Sequence, residues 1–498
     1  MKKRVFLTGA TGTMGFQGFK ELYDRKHMYD IVILVRESKK AREMFEPFKH
    51  DECLTICWGD LTNYEDVLSC VTGSDYVLHV GGMVSPAADY YPKTTMKTNI
   101  GAMKNIIDAV KAQENPDAIK VVYIGTVAQT GDRNYPTHWG RTGDPIQISV
   151  YDHYAISKTY AEALLADSGL KYWVSLRQTG ILYPDILTNI DPIMYHTPLN
   201  GAIEWATVED SGRLLAKVCN EHVPQEFWRK FYNISSGSQF RFTNYEFEEK
   251  LLYSLGIKSK DAIKKLFEAN WFILQNFHGH WFTDADKLDE ILKFRDYTTA
   301  DDYFKYMAKL APTYYKLSGL APCSVLKKNM MEPIAQTAMF GTQAWIKNGS
   351  KSRINAFYGS IQQFKDIGTW ENFNVFRPTD EKSFLDHGYD ESKDFEKLSV
   401  KDLQKAAQFR GGKYKTRKRP ADIYTPVKWE CAFGHEFEMS QNLALKGGHW
   451  CPKCMPIPWK YDEEAKVNPF FAQVWYSHHS KDENNVYDDS IYYGFGED

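Results

Sequence analysis

Three glycines at i, i+3 and i+6 constrain the start of this chain. Lys3 to Leu7 is a short β-type run that ends in Thr8-Gly9-Ala10-Thr11-Gly12-Thr13-Met14-Gly15. Phe16, Phe19, Leu22 and Tyr23 follow at helical spacing. The order is strand, glycine loop, helix. Gly9 permits the tight turn, and Gly12 lets backbone N–H groups approach a pyrophosphate at the helix N-terminus. Gly15 lets helix and strand pack closely. Thr11 and Met14 belong to the same loop and are expected to touch the cofactor. With strand and helix in place on either side, the loop reads as a dinucleotide site.

The segments that follow keep the pattern. Asp30 to Val35 is a second strand, ending at Arg36-Glu37-Ser38-Lys39-Lys40. An Arg there can pair with the 2′-phosphate of NADP, so Arg36 with Lys39 or Lys40 favours NADP. Glu37 leaves NAD open, because a carboxylate binds the ribose hydroxyls. A third strand, Leu54 to Trp58, ends in Gly59-Asp60-Leu61, which places Asp60 at the adenine edge. A fourth, Tyr76 to Val80, ends in Gly81-Gly82, small enough for backbone to lie against the cofactor. A fifth, Val121 to Ile124, ends in Gly125-Thr126. Strands alternating with helical segments in this way mark a doubly wound, Rossmann-type α/β fold.

Tyr154 and Lys158 lie four apart on a helical stretch and share a face. A phenol has a pKa near 10, too high for a good base at neutral pH. A neighbouring ammonium is expected to lower it and to bond the nicotinamide ribose. Thr126 offers a hydroxyl to the substrate oxygen, and Tyr154 moves the proton. Hydride transfer belongs to the cofactor.

These elements together resemble the extended short-chain dehydrogenase/reductases, the NAD-dependent epimerase/dehydratase family, over residues 1 to about 315. The resemblance is carried by the glycine loop, Gly59-Asp60-Leu61, Asn99 in Lys97-Thr98-Asn99-Ile100-Gly101, Thr126 five before Gly131, and Tyr154-x-x-x-Lys158. Leu176 to Pro184 and Ala206 to Asp210 look like two later family elements. The resemblance implies cofactor contacts at Gly9, Thr11, Gly12, Met14, Gly15, Arg36, Asp60, Leu61, Gly81, Tyr154 and Lys158. It implies catalytic roles for Thr126, Tyr154 and Lys158, with Asn99 steadying the active-site backbone, and it makes a homodimer an expectation.

Within the family three chemistries compete. Dehydratases typically carry an acidic pair or a Glu directly after the catalytic Thr or Ser, whereas Val127 and Ala128 follow Thr126. Sugar-nucleotide epimerases hold a diphosphate with Arg or Lys, yet Pro184 to Ala206 contains neither. That stretch offers Ile186, Leu187, Ile193, Met194, Tyr195, His196, Leu199 and Trp205, a lining suited to an apolar substrate. Arg241 could still reach a phosphate, which keeps an epimerase with bound NAD as the alternative. The favoured reading is an oxidoreductase that interconverts an alcohol and a ketone on an apolar, hydroxysteroid- or aryl-ketone-like molecule.

Aromatic residues make up 15% of the 498-residue chain, and the excess has two main places. Asn270 to Phe282 is dense in rings and falls where extended members cap the substrate. The tail, Tyr461 to Asp498, interleaves nine acids with nine aromatics, so docking on the body or a partner is expected instead of disorder. Residues 316–420 carry helical segments, Met331 to Trp345 and Val400 to Phe409, and end in the basic stretch Arg410 to Pro420, which reads as an exposed linker. Residues 421–460 hold Cys431-x3-His435 and Cys451-x2-Cys454. Three thiolates and an imidazole make the Cys3His set of a closed structural zinc site, similar to zinc-ribbon modules. The expected division is therefore 1–315 (cofactor fold about 1–175, a smaller α/β substrate lobe about 176–315), 316–420, 421–460 and 461–498.

A net charge of −3 gives no general field for nucleic acid. A non-catalytic protein that contacts nucleic acid through the basic and zinc regions is the remaining, disfavoured class. No apolar run reaches the roughly 18 residues of a membrane helix, and the apolar part of the N-terminus is too short for a signal peptide. Eight cysteines over this length are sparse, so a cytoplasmic setting is expected.

Overall fold

In a computed structural model, residues 2–454 and 460–487 are described. At the centre is a seven-stranded sheet: β1 (Lys3–Thr8), β2 (Tyr29–Val35), β3 (Leu54–Trp58), β4 (Tyr76–His79), β5 (Lys120–Thr126), β6 (Tyr172–Gln178) and β7 (Lys230–Ile234). The spatial order is β7-β6-β5-β4-β1-β2-β3, with every neighbouring pair parallel. The order reverses between β1 and β4, and crevices for ligands form at the carboxyl ends of strands at such a reversal.

Central strands of a parallel sheet are covered on both faces and so read as continuous apolar runs. Val5, Phe6 and Leu7 of β1 are fully buried, and they divide between two cores. On one face, Val5 and Leu7 pack with α1 (Thr13–Tyr23) and α6 (Val208–Lys217). On the other, Phe6 packs with α3 (Tyr64–Val71), α4 (Pro92–Lys111) and α5 (His153–Ala166). The short α2 (Lys39–Phe45) follows β2, with Ser38 accepting from Ala41 N as its cap.

Beyond this sheet the structure is built from small pieces. Ile181–Leu182 pairs with Ala206–Thr207, Ala202–Glu204 with Arg241–Thr243, and Trp139–Gly140 with Trp281–Phe282. These form a lobe above the carboxyl ends of the strands.

The C-terminal third shares cores with the rest. Helix α8 (Val400–Phe409), a three-stranded antiparallel sheet, β8 (Lys413–Tyr414), β9 (Pro426–Glu430) and β10 (Glu436–Ser440), and the segment after it put Leu403, Trp429, Leu443 and Trp450 into the same core as Phe6, Val77 and Trp173. Helix α7 (Lys351–Tyr358) puts Phe357 and Tyr358 into a third core with Tyr151 and Ile156. Tyr461, Phe471, Trp475 and Tyr487 join that core, so the described part of the tail is packed against the body. Residues 488–498 of the tail lie outside the described residues.

Two expectations need correction. The helix expected over Met331 to Trp345 is broken into Glu332–Ala335 and Thr342–Lys347. Gly341 lets the chain double back, since a Cβ there would sit 2.4 Å from the Ala335 carbonyl oxygen. The stretch from Arg410 is not simply an exposed linker. Arg410 is buried over the Phe470 ring at 3.9 Å, Lys413 and Tyr414 form β8, and Lys415 Nζ meets Glu430 at 2.8 Å. Among the described residues, no helix is long and apolar enough to cross a membrane.

Candidate active site

A cleft of about 1210 Å³ runs over the carboxyl ends of the strands. Its walls include Gly9, Thr11, Gly12, Met14 and Gly15 from the first loop. They also include Arg36, Asp60, Leu61, Gly81, Thr126 and Tyr154. The expected cofactor residues are thus brought together, apart from Lys158, which lies behind the wall, fully inside.

The glycine loop is tight for a clear reason. Gly9 has φ +71, and a Cβ on it would lie 2.6 Å from Gly81 Cα. A Cβ on Gly15 would lie 2.1 Å from the Gly9 carbonyl oxygen. Thr8 Oγ1 accepts from Gly81 N at 2.8 Å, so the first and fourth strand ends are laced together. Gly12 caps α1 without a side chain of its own, which leaves the first N–H groups for an anion.

At the far end, Arg36, Glu37, Ser38 and Lys40 line the cleft. Arg42 Nε donates to Glu37 Oε1 at 3.1 Å. Asp60 is fixed by accepting from Thr62 N at 2.8 Å and Thr62 Oγ1 at 2.7 Å.

The end of the cleft expected to be catalytic is set by β5 and α5. Asp152 caps α5 by accepting from Ala155 N at 2.8 Å, which fixes the turn that presents Tyr154. Thr126 ends β5, its side chain accepts from Ala128 N at 3.1 Å, and it stands near enough to Tyr154 to oppose the rise of the phenol pKa. Asn99 on α4 donates to Ser157 Oγ at 2.8 Å and accepts from Met83 N at 2.8 Å. It ties the loop after β4 to α5 from behind the wall.

The electrostatics reverse one expectation. Burial pushes the Tyr154 phenol up to about 12, against the lowering effect of Thr126. Burial also pushes Lys158 down to about 7. Its ammonium rests over the Tyr123 ring at 4.2 Å. With that much water removed, desolvation outweighs the help that an ammonium was expected to give the phenolate.

The rest of the wall comes partly from stretches that the sequence singled out and partly from elsewhere. Of the stretch 184–206, Ile193, His196, Ile203 and Trp205 line the cleft, while Leu187, Tyr195 and Leu199 are buried in cores. Arg241 is committed elsewhere, to Glu204 at 2.7 Å. In the aromatic segment, Asn276, Phe277 and His278 reach the cleft and Trp271 and Phe272 fill a core. His278 Nδ1 lies 3.1 Å from Asp152 Oδ2, and Asp89 lines the same region. Burial, and next Asp152, push Asp89 up to about 6. Phe340, Arg353 and Phe357 enter from the C-terminal third, where no motif marked them.

Behind α5 is a buried ionic junction. Arg177 on β6 holds Glu162 with Nη2 2.6 Å from Oε1, and His449 Nε2 is 2.8 Å from the same oxygen. Arg177 also donates to the Gly447 carbonyl at 2.7 Å. Glu162 is held well below the usual carboxylate range; the opposing effect of burial is overcome by Arg177 and His449.

Cys431, His435, Cys451 and Cys454 converge, with all four ligand atoms within 4.8 Å of one another. His435 Nδ1 is 3.1 Å from Cys454 Sγ and 3.7 Å from Cys451 Sγ, and the Cys431 and Cys454 sulfurs are 3.6 Å apart. Tetrahedral ligands at zinc–sulfur and zinc–nitrogen lengths would be separated by about 3.5–3.8 Å, so the residues fit that ion.

Comparison with known proteins agrees on the cofactor fold. Residues 5–181 match the NAD dependent epimerase/dehydratase family. The inverting UDP-N-acetylglucosamine 4,6-dehydratase of Campylobacter jejuni is 33% identical over 109 residues, 22% of this chain and 32% of that protein. The UDP-glucose 4-epimerase of Rickettsia typhi is 27% identical over 128 residues, 25% of this chain and 36% of that protein. The 3 beta-hydroxysteroid dehydrogenase type 7 of Mus musculus is 30% identical over 118 residues, 23% of this chain and 31% of that protein. The chain thus spans about a third of the length of these curated relatives. Among solved structures, dTDP-glucose 4,6-dehydratase from Bacillus anthracis in complex with NAD has a TM-score of 0.49 at 14% identity, over 62% of this chain and 96% of that one. The architecture is α/β with a parallel Rossmann-like sheet, and residues 5–181 of it are similar to the NAD dependent epimerase/dehydratase family.

Proposed function

We propose that this protein is an NAD(P)-dependent short-chain dehydrogenase/reductase that interconverts a secondary alcohol and a ketone. The observation that carries the reading is that Thr126 and Tyr154 stand together on the wall of a cleft whose other end is lined by the glycine loop. Bound nicotinamide supplies hydride chemistry. Thr126 and Tyr154 hold the substrate oxygen, and Tyr154 Oη gives or takes its proton. Lys158 is four residues on, buried, and suited to bond the nicotinamide ribose. Arg36 and Lys40 on the wall, with Glu37 engaged by Arg42, support NADP over NAD.

Val127 and Ala128, both buried, put no acid beside Thr126, which speaks against dehydration. Nucleotide-sugar epimerization is the second reading, favoured by the UDP-glucose 4-epimerase relatives. Cys431, His435, Cys451 and Cys454 would hold a structural zinc ion. Four protein ligands leave no open position for a reaction at it. A cytoplasmic setting fits the free cysteines.

A panel of sterols, aryl alcohols and sugar nucleotides, followed by absorbance of the reduced cofactor with NAD and NADP, tests the reading. Tyr154→Phe should lose about 10²- to 10⁴-fold in turnover. Its cofactor affinity should stay within about threefold, since the phenol's proton transfer is what is removed. Undiminished turnover in that variant sinks the proposal. A sugar nucleotide epimerized with no net reduction of cofactor selects the second reading.

A further inference from the structure

The family match ends at residue 181, yet the turn Lys446-Gly447-Gly448-His449, far beyond it, reaches the back of α5. The backbone of this turn is pinned. Gly448 has φ +77, and a Cβ on it would sit 1.9 Å from the Asp144 carbonyl oxygen. Ile146 N donates to the Gly448 carbonyl at 3.2 Å. From the turn, two groups clasp the buried ion pair between α5 and β6. Arg177 Nη2 donates to the Gly447 carbonyl at 2.7 Å and to Glu162 Oε1 at 2.6 Å. His449 Nε2 lies 2.8 Å from the same carboxylate oxygen. An ionised carboxylate only accepts, so that ring nitrogen carries the hydrogen. Just past the end of α5, Ser440 N donates to Asp167 Oδ2 at 3.0 Å. The C-terminal third thus grips α5 in two places.

Glu162 is where this grip meets the acid/base residues. It is fully buried, and further hydrogen bonds come from Gln129 Nε2 at 2.9 Å, Ser175 Oγ at 2.6 Å and Arg177 Nε at 3.0 Å. Gln129 belongs to the turn that follows Thr126. Gly125 comes just before Thr126, and a Cβ on it would lie 3.4 Å from Glu162 Oε2, so the carboxylate rests close to the backbone of β5. Glu162 lies four positions after Lys158 and shares its face of α5. Burial lowers the Lys158 pKa, and Glu162 opposes that by favouring the ammonium. One carboxylate therefore joins β5 at Thr126, α5 at Lys158, β6, and the turn of His449. Two residues past His449 is Cys451, fully buried, whose sulfur is one of the four converging ligand atoms.

We infer that His449 is a positioning residue for the acid/base site, and that through its bond to Glu162 the occupancy of the Cys431, His435, Cys451 and Cys454 cluster is felt in the binding of the dinucleotide. Held ligands fix Cys451, and with it the turn that carries Gly447 and His449. Released ligands free that turn. Glu162 then loses a donor and Arg177 loses an acceptor, in a buried network where each missing partner is costly. The helix that carries Tyr154 and Lys158 is then no longer set against the end of β5 by the same clasp. The inference rests on the dinucleotide reading of the cleft and adds a control to it from a region that does not line the cleft.

The test uses the full-length protein, either loaded with zinc or treated with a chelator, and titrates NAD and NADP by calorimetry. The tighter cofactor should bind about fivefold or more weakly to the chelated protein, the low end of ordinary coupling between two sites. The same factor should appear in reverse, as tighter retention of zinc against the chelator when the cofactor is saturating. In the zinc-loaded protein, His449→Ala should lose cofactor affinity to a similar degree. His449→Gln, whose amide can donate to Glu162 in place of the ring nitrogen, should return to within about twofold of the wild type. Leu403→Ala is the control for lost stability alone. It opens a cavity on α8 in the shared core without touching the junction, so the cofactor affinity of its folded form should stay within about twofold of the wild type. Equal affinity in loaded and chelated wild type overturns the inference, as does a His449→Ala protein that binds like the wild type. A loss in Leu403→Ala as large as that in His449→Ala also overturns it. Where near-ultraviolet circular dichroism shows that the chelated protein has unfolded, the zinc-loaded His449 variants decide alone. A wild type that binds neither NAD nor NADP overturns the dinucleotide reading and this inference with it, whereas cofactor binding that is indifferent to zinc and to His449 overturns this inference only.

Discussion

Lys158 carries its amino group into a place with almost no water. The fold compensates only in part, with the Tyr123 ring beneath it and Glu162 one turn further along α5. Burial has brought its pKa to about 7, so near neutral pH the cofactor-free protein holds a mixture of ammonium and amine. Hydroxyl acceptors from a ribose favour the ammonium, so binding raises the pKa and takes up a proton above pH 7. Affinity for NAD or NADP should therefore be flat below that pH and fall above it, approaching about tenfold per pH unit. Calorimetry in two buffers of different ionisation heat would count the proton directly. Lys158→Met should bind more weakly and show no such slope; a slope that persists in this variant assigns the proton to another group. The same residue shows what a spacing argument misses. Four positions on a helix put Lys158 beside Tyr154, but the balance between a favourable charge and lost water depends on the ring at Tyr123 and the wall in front.

Helix α5 is the element on which these effects converge. Its outer turn presents Tyr154, its middle holds Lys158, and its next turn carries Glu162 into the junction with Arg177 and His449. Glu162→Gln would leave Arg177 buried with its charge uncompensated, a loss of about 3–5 kcal/mol in urea unfolding. The sign with pH follows from the depressed carboxylate. Its contribution is full above the ordinary Glu range near 4.3 and is lost as pH falls through the folded value, so the wild type should lose more stability than the variant between about pH 5 and pH 2. Equal acid sensitivity in the two proteins would remove Glu162 from this role. The elements around it differ in how well the sequence shows them. The strand, glycine loop and α1 are set by neighbours in sequence, and β3, at Leu54–Trp58, falls where its apolar run lies. The helix expected across Met331 to Trp345 stops at Ala335 and restarts after Gly341, whose close approach to the Ala335 carbonyl is a contact that only the folded chain makes. Arg353 carries no motif, and its segment is held at the cleft by bonds between residues 88 to 144 positions apart.

At the scale of the molecule, the question is whether the cysteine-rich region is an appendage or a wall of the enzyme. One core runs from Phe6, Val77 and Trp173 in the parallel sheet to Leu403, Trp429, Leu443 and Trp450. Trp429 is fully buried against Trp450 at 5.5 Å, and Cys451 lies in the same core. Each such side chain exposed would forfeit about 1.5–3 kcal/mol of burial. A chain stopped before residue 398 would expose the sheet face they cover, and with it the Arg177 end of the ionic junction. Folding of the two regions is therefore expected to be linked. A calorimetric scan of the full chain should give one endotherm whose calorimetric and van't Hoff enthalpies agree. Chelation, or Cys451→Ser, should move that whole endotherm downward, because an ion that binds only the folded chain stabilises everything folded with it. NAD should move it upward by the same logic. Two endotherms, with chelation shifting one and NAD the other, would show instead that the cysteine-rich region folds by itself and that the shared core contributes little to either.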